Sequence, residues 1–293
     1  MNYQDFIENV SKHISETLKL HTKVCPVLKN NGTVYEGLVI CDPILNISPM
    51  IYLHPFYQQY CSGTALEDIY EKILDTYQNN LPVNDFDIST FCDYEKAKER
   101  IVLKLINAKR NDNLLKEVPH ILFHDLAIVF LCAVNDFSEE YASILIHNSH
   151  MHNWNVKVED LYELAKDNSS RLLPPRMDNL HDIFEMITSE SLEFLDDLQA
   201  YILTNKLRIH GATCMVYPGI LEEISDLFDD DLIILPSSIH DLLVFPKSNI
   251  PEEYSLSYFK EMIQEVNQTQ LRDVEILSDH PYWYHRDTKE ITY

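Results

Sequence analysis

Between residues 5 and 20, apolar side chains recur at Phe6, Val10, Ile14 and Leu18 with acids and amides between them. This fourfold spacing predicts an amphipathic helix. The period then changes: Val24 to Leu28 and Thr33 to Ile40 flank Asn30-Asn31-Gly32, and an Asn-Gly turn between apolar runs predicts a β-hairpin. Met50 to Leu53 offers a third short strand. Thr64, with Glu67 three residues on, has the form of a capping box, opening a helix whose buried stripe is Leu66, Ile69, Tyr70, Ile73 and Tyr77.

Farther along, Arg100–Ile106, Ile121–Phe123, Leu126–Val134 and Tyr141–Ile146 read as strands. Turns at His124-Asp125 and Asn135-Asp136-Phe137 separate some of them, and the short links favour an antiparallel meander. Helices are expected at Ser149–Trp154 and at Val158–Asn168, where Leu161, Leu164 and Ala165 mark the inner face and Leu173-Pro174-Pro175 stops the run. A helix near Asn179–Ile187 precedes strands at Tyr201–Leu203 and Gly211–Val216. After Tyr217-Pro218-Gly219 comes a helix carrying Leu221, Ile224 and Phe228, so a β-α-β-β arrangement is expected. The last helix covers Leu256–Val266, and the tail, Pro281–His285 and Glu290–Tyr293, reads as two edge strands around Arg286-Asp287.

Within this pattern the tract from Leu232 to Phe245 stands out. Two apolar runs bracket a polar knot of Ser237, Ser238, His240 and Asp241 behind Pro236, which predicts a hairpin with the knot presented at its tip. The elements together specify an α+β fold: a mixed, mostly antiparallel sheet with β-hairpins and flanking helices. No repeat or low-complexity linker divides the chain, so residues 1–293 are read as one α+β domain, with two lobes at about 1–90 and 91–293 as its alternative form.

Composition adds exclusions. Hydrophobic residues make up 45% and charged residues 24% of 293, ordinary values for a globular chain. The start lacks the basic residues of a secretory signal, and the longest apolar run is too short for a membrane span, so a cytoplasmic protein without membrane contact is expected. Six scattered cysteines without a Cys-x-x-Cys pair, usually beside an apolar neighbour, read as reduced core thiols. Against 47 Asp plus Glu stand 23 Lys plus Arg, a net charge of −24, which disfavours direct nucleic-acid binding. The acidity serves solubility or imitates DNA toward a basic partner.

Only five glycines occur, and neither a dinucleotide fingerprint nor a phosphate loop can be drawn from them, so no nucleotide cofactor is expected. A Gly-x-Ser-x-Gly elbow and a His-Glu-x-x-His pair are also missing. His285-Arg286-Asp287 copies three letters of the kinase catalytic loop but lacks its downstream Asn.

Catalytic candidates are Ser237 or Ser238 as nucleophile, His240 as base and Asp241 as orienter. Adjacent strand residues point to opposite faces, so a remote acid such as Asp226 or Asp279 would have to replace Asp241. Metal-ligand candidates are His147, His150 and His152, the densest histidine group, whose plainer role is a polar helix start. His-Asp dipeptides at 124–125, 181–182 and 240–241 are a pattern found in metal phosphohydrolases, but two of them lie beside strands, unlike those helical enzymes.

Several phrases in order, Val34–Ile40, Ala142–Ile146, His150–Trp154, Tyr201–Asn205, Leu235–His240 and Leu277–Asp279 with the aromatic tail, resemble a family of acidic clostridial proteins known as domain of unknown function 5688. That resemblance spans nearly the whole chain and implies no activity. The stretches Trp154–Pro174 and Leu232–Phe245 are also similar to YtpQ-like bacterial proteins, although the serines at 237 and 238 depart from that group's Pro-x-x-Asp turn. The reading that follows is a non-enzymatic cytoplasmic protein that binds a protein or small molecule, with no cofactor. The alternative is a hydrolase built on the serine–histidine knot or on a metal at the histidine group.

Overall fold

The computed structural model describes residues 1–45, 48–81, 88–134, 142–182, 199–251 and 254–293. The chain forms two compact units, Met1–Ile88 and Ser89–Tyr293.

In the first unit, helix α1 (Tyr3–Leu18) is capped by Asn2, whose side chain accepts the Asp5 amide, and it ends where Lys19 turns left-handed. Strands β1 (His21–Leu28) and β2 (Val34–Cys41) form the expected hairpin, paired from His21↔Cys41 to Leu28↔Val34. Asn31 and Gly32, both at positive φ, make its turn. Strand β3 (Met50–Tyr52) pairs with β2, so the sheet order is β1-β2-β3. Helix α2 (His54–Cys61), with Pro55 in its first turn, has no counterpart in the sequence pattern. Helix α3 (Leu66–Asn79) follows it without the expected capping box. Its N-cap is Ala65, while the Thr64 amide is drawn back to the Gln59 carbonyl behind Gly63. Phe6, Val10 and Ile14 of α1 join Leu38, Ile40, Ile69 and Ile73 in a fully buried core.

The second unit holds two antiparallel sheets. In the smaller, β4 (Ile101–Asn107) pairs with β6 (Leu126–Ala133), which also carries β5 (His120–Phe123) and β7 (Ser143–Leu145). This corrects the meander. A helical turn at Asp112–Leu115 lies in the link between β4 and β5, which flank β6, and β6, with all eight residues buried, takes the centre. The larger sheet runs β13-β12-β10-β11-β9-β8 and comprises β8 (Pro175–Asn179), β9 (Tyr201–Asn205), β10 (Leu232–Pro236), β11 (Leu242–Pro246), β12 (Tyr282–His285) and β13 (Glu290–Thr292). Of the two tail strands, β12 is therefore interior and β13 alone lies at an edge. Most of the helix expected at Asn179–Ile187, and the Asn135–Phe137 turn, lie outside the described residues.

Helices α4 (Asn148–Trp154), α5 (Val158–Leu172), α6 (Ile220–Phe228) and α7 (Leu256–Thr269) complete the unit. Alternation along β10 sorts its faces: Leu232 and Ile234 join Phe130, Leu161 and Tyr282 in the main core, whereas Ile233 and Leu235 pack with Phe259 and Ile263 of α7. Gly211–Val216, expected as a strand, is a 3-10 turn whose first five residues are buried. The expectation of core thiols holds for Cys132 and Cys214 but not for the exposed Cys41, Cys61 and Cys92. Among the described residues no helix is long and apolar enough to cross a membrane.

Candidate functional site

The β10–β11 hairpin forms as the apolar runs require, from Leu232↔Pro246 to Pro236↔Leu242, leaving residues 237–241 as its connection. The connection does not project into solvent. Ser238 and Ile239 are buried, with Ser237, His240 and Asp241 partly so. The cause is Ile239, the one aliphatic residue of the knot, which joins the main core and turns the corner inward. Its amide donates to the Glu275 carbonyl, and the Ser237 and Ser238 amides donate to the Asp241 carbonyl.

The element that meets this corner begins at the end of β9. Asn205 accepts the amides of Leu207 and Ile209 on its side-chain oxygen and donates to the Ile209 carbonyl, which winds the chain tightly. Arg208 and His210 are both left-handed, an uncommon state for side chains of that size. Gly211 then passes against the hairpin so closely that an added Cβ would lie 2.4 Å from the His240 carbonyl oxygen and 2.8 Å from the Asn205 nitrogen. The close approach forces a turn where the apolar run suggested a strand.

Across this contact the His210 and His240 rings stack, with centroids 5.6 Å apart and planes 15° from parallel. The His210 amide donates to His240 Nδ1 at 3.2 Å, and Thr204 Oγ1 donates to the His240 carbonyl at 2.9 Å. Burial holds the His210 pKa well below the usual imidazole value, reinforced by Lys104 and by His240. Burial also lowers His240, partly opposed by Asp241 and Glu275. Both rings are therefore neutral at pH 7. His210 Nδ1 and Asp241 Oδ1 are sealed from solvent without a hydrogen-bond partner among the described residues. Beside them Cys214 donates to the Thr204 carbonyl, and burial pushes its thiol up to about 12, so it carries no thiolate.

The serine–histidine knot is thus assembled differently from a triad. Ser238 Oγ accepts the backbone amide of His240 at 2.9 Å, not a bond from the ring. The remote acids are engaged elsewhere: Asp226 pairs with Arg286, and Asp279 with Arg110 and Asn267. Arg286 of the kinase-like tripeptide also binds Asp229, pinning the C-terminal ribbon to the end of α6.

At the histidine group, His147 and His150 cap α4 reciprocally, and His150 Nδ1 accepts the His147 amide at 3.0 Å. His150 also meets Phe91 edge to face, while His152 is exposed. Among the described residues no three His, Cys, Asp or Glu side chains converge where they could hold a metal. Asp125 of the first His-Asp pair instead accepts Ser278 Oγ at 2.7 Å and Tyr282 Oη at 2.5 Å.

Sequence reasoning singled out His240 and Asp241 but missed His210, Thr204 and Cys214. The available signal was Ile239, whose apolar side chain argues against an exposed tip.

The first unit carries a separate feature. A groove of about 670 Å³ lies beside α1, lined by Glu8, Ser11, Lys12 and Glu16 of the helix, with Lys12 paired to Glu16 at 4.0 Å, and by Thr22, Val24 and Glu36 of the sheet. No cation pairs with Glu36 among the described residues. Its charge nonetheless reaches Tyr3, whose phenol pKa is raised first by burial and then by Glu36. In the second unit, a groove of about 480 Å³ beside α7 has its Arg110 and Asp279 charges paired with each other.

Comparison with known proteins finds a family model, described as Family of unknown function (DUF5688), that matches residues 3–286. No curated protein and no solved structure matches.

Proposed function

Since the chain belongs to DUF5688, a family of unknown function, we propose from its own geometry that it is a binding protein whose α1 groove receives a cationic side chain of a protein partner. The observation that carries this reading is Glu36, a carboxylate on the sheet wall of the groove with no ion-pair partner among the described residues, the groove's one lysine, Lys12, being paired with Glu16. Glu8 adds charge at the helix wall, where Glu16 is already paired with Lys12, and the net −24 of the chain would steer a basic partner toward it. A cytoplasmic setting goes with this, since Cys41, Cys61 and Cys92 are free and exposed.

The hydrolase alternative on Ser237, Ser238 and His240 draws less support, because Ser238 meets the His240 backbone and not its ring. A metal at His147, His150 and His152 is disfavoured by the capping bonds of the first two.

Fluorescence anisotropy with a labelled Lys/Arg-rich peptide tests the reading on wild type and Glu36→Gln. Wild type should bind in a salt-sensitive manner, with Glu36→Gln weaker by about tenfold, the scale of one charged hydrogen bond. Equal affinity of the two proteins, or no binding by either, would overturn it.

A further inference from the structure

We propose that the His210–His240 contact is a proton-operated latch, in which one added proton on the stacked imidazoles releases the 237–241 corner from the turn that begins at Gly211. The chemistry follows from which nitrogen is in use. A neutral imidazole has a single lone pair, and in His240 that lone pair, on Nδ1, accepts the His210 amide. Its Nε2 therefore carries the ring proton. A second proton has only Nδ1 to bind, where it would oppose the N–H it replaces as donor. Protonation of His240 and retention of this bond exclude one another.

The alternative site, His210 Nδ1, offers no easier refuge. A charge there would sit in a sealed position against the His240 ring and near Lys104 of β4. The other groups around the pair are Asp241 and Ser238 of the corner, Glu275 of the Asp273–Glu275 turn, Thr204 of β9, Cys214 of the 3-10 turn, and the Arg208 backbone, whose hydrogen bond to His240 works against the lowering by burial. Asp241 Oδ1, idle in the closed arrangement, becomes the counter-ion for a protonated ring once the corner shifts.

The direction of the pH effect is fixed. Both folded-state imidazoles lie below the ordinary value of about 6.5, which they regain on release. The closed form is fully favoured above that value and loses ground as pH falls below it toward the folded-state values.

Amide hydrogen exchange, corrected for intrinsic rates, tests the latch at about pH 7.5 and about pH 5.5, on either side of the ordinary imidazole value. In wild type, protection over residues 204–216 and 237–242 should fall by about tenfold or more at the lower pH, while β4 and β6 remain protected. His240→Asn keeps an acceptor oxygen near the Nδ1 position and does not titrate, so its corner should lose clearly less protection than wild type, with His210 alone left to respond to acid. Acid-insensitive protection in wild type, or equal acid loss in His240→Asn, would overturn the proposal. Should that variant not fold, imidazole nitrogen chemical shifts of wild type decide. Protonation of His240 must coincide with the loss of protection, and loss while both rings stay neutral sinks the latch.

Discussion

Ser169 of α5 receives the backbone amide of Leu103 in β4 on its hydroxyl oxygen at 2.8 Å, while donating to the Ala165 carbonyl at 2.6 Å. Strand β4 ends its sheet, so its outer amides have no strand partner and yet are buried. Side chains close that edge. Thr213 Oγ1 accepts the Leu105 amide at 3.1 Å, and Asn168 Nδ2 donates to the Ile101 carbonyl at 3.0 Å. A buried edge satisfied by hydroxyls and an amide is protected from further pairing and held in register against α5.

Ser169→Ala should therefore cost about 1–3 kcal/mol, because it strands the Leu103 amide without shrinking the core appreciably. Urea denaturation checks this: the midpoint should fall with an unchanged slope. Thr213→Val, which keeps the shape and removes the acceptor, should cost a similar amount through Leu105. A loss below about 0.5 kcal/mol in both, within the range of ordinary surface substitutions, would mean that water or a shifted backbone replaces these bonds.

Much of the fold was readable where periodicity and turn chemistry agreed. The Asn30-Asn31-Gly32 hairpin, the α1 stripe and the Leu232–Phe245 hairpin all rest on local patterns that tertiary packing then reinforces. Two of the misreadings share a cause, a contact distant in sequence. Gly211–Val216 has the apolar content of a strand, and only the backbone of His240, about thirty residues away, makes it a turn. Pairing of β4 with β6 in place of β5 is likewise a contact across the link that holds the Asp112–Leu115 turn. Of the candidate site, His240 and Asp241 are legible as residue types, whereas the burial of the tip follows from Ile239, which draws the corner into the main core. His210 carries no local signature, since its role is defined by its stacking partner.

Gly211→Ala tests that contact directly. The new methyl would collide with Thr204 Oγ1 and with two backbone atoms, none of which is the end of a flexible chain. Destabilisation of about 1–3 kcal/mol is expected, with loss of amide protection at His210 and Ile239 ahead of the rest of the sheet. A calorimetric midpoint equal to that of wild type would show that the hairpin and the turn separate at little cost.

Thiol reactivity should divide the cysteines by burial. Cys41, Cys61 and Cys92 are exposed, whereas Cys132 and Cys214 are buried, with thiols pushed up to about 11 and about 12. A disulfide reagent at neutral pH should modify the first three rapidly in the native protein, and Cys25, partly buried, more slowly. Peptide mapping should find Cys132 and Cys214 unmodified until denaturant is added. Native labelling of Cys214 at the rate of Cys41 would mean that the corner opens readily at that pH.

Alkaline behaviour should report on Tyr282, whose hydroxyl donates to Asp125 at 2.5 Å from a fully buried ring. Burial first, and then the Asp125 charge, raise its pKa far above the ordinary phenol value of about 10. With the folded value above the unfolded one, this tyrosine's contribution is complete below about pH 10 and declines as pH rises beyond it, because the unfolded chain releases the proton first. Tyr282→Phe should therefore lower stability at neutral pH by about 1.5–3 kcal/mol, through the lost bond to a carboxylate, while flattening the decline above about pH 10. Equilibrium unfolding as a function of pH measures both. Parallel curves for the two proteins would show that Tyr282 ionises in the folded state, contrary to its sealed bond with Asp125.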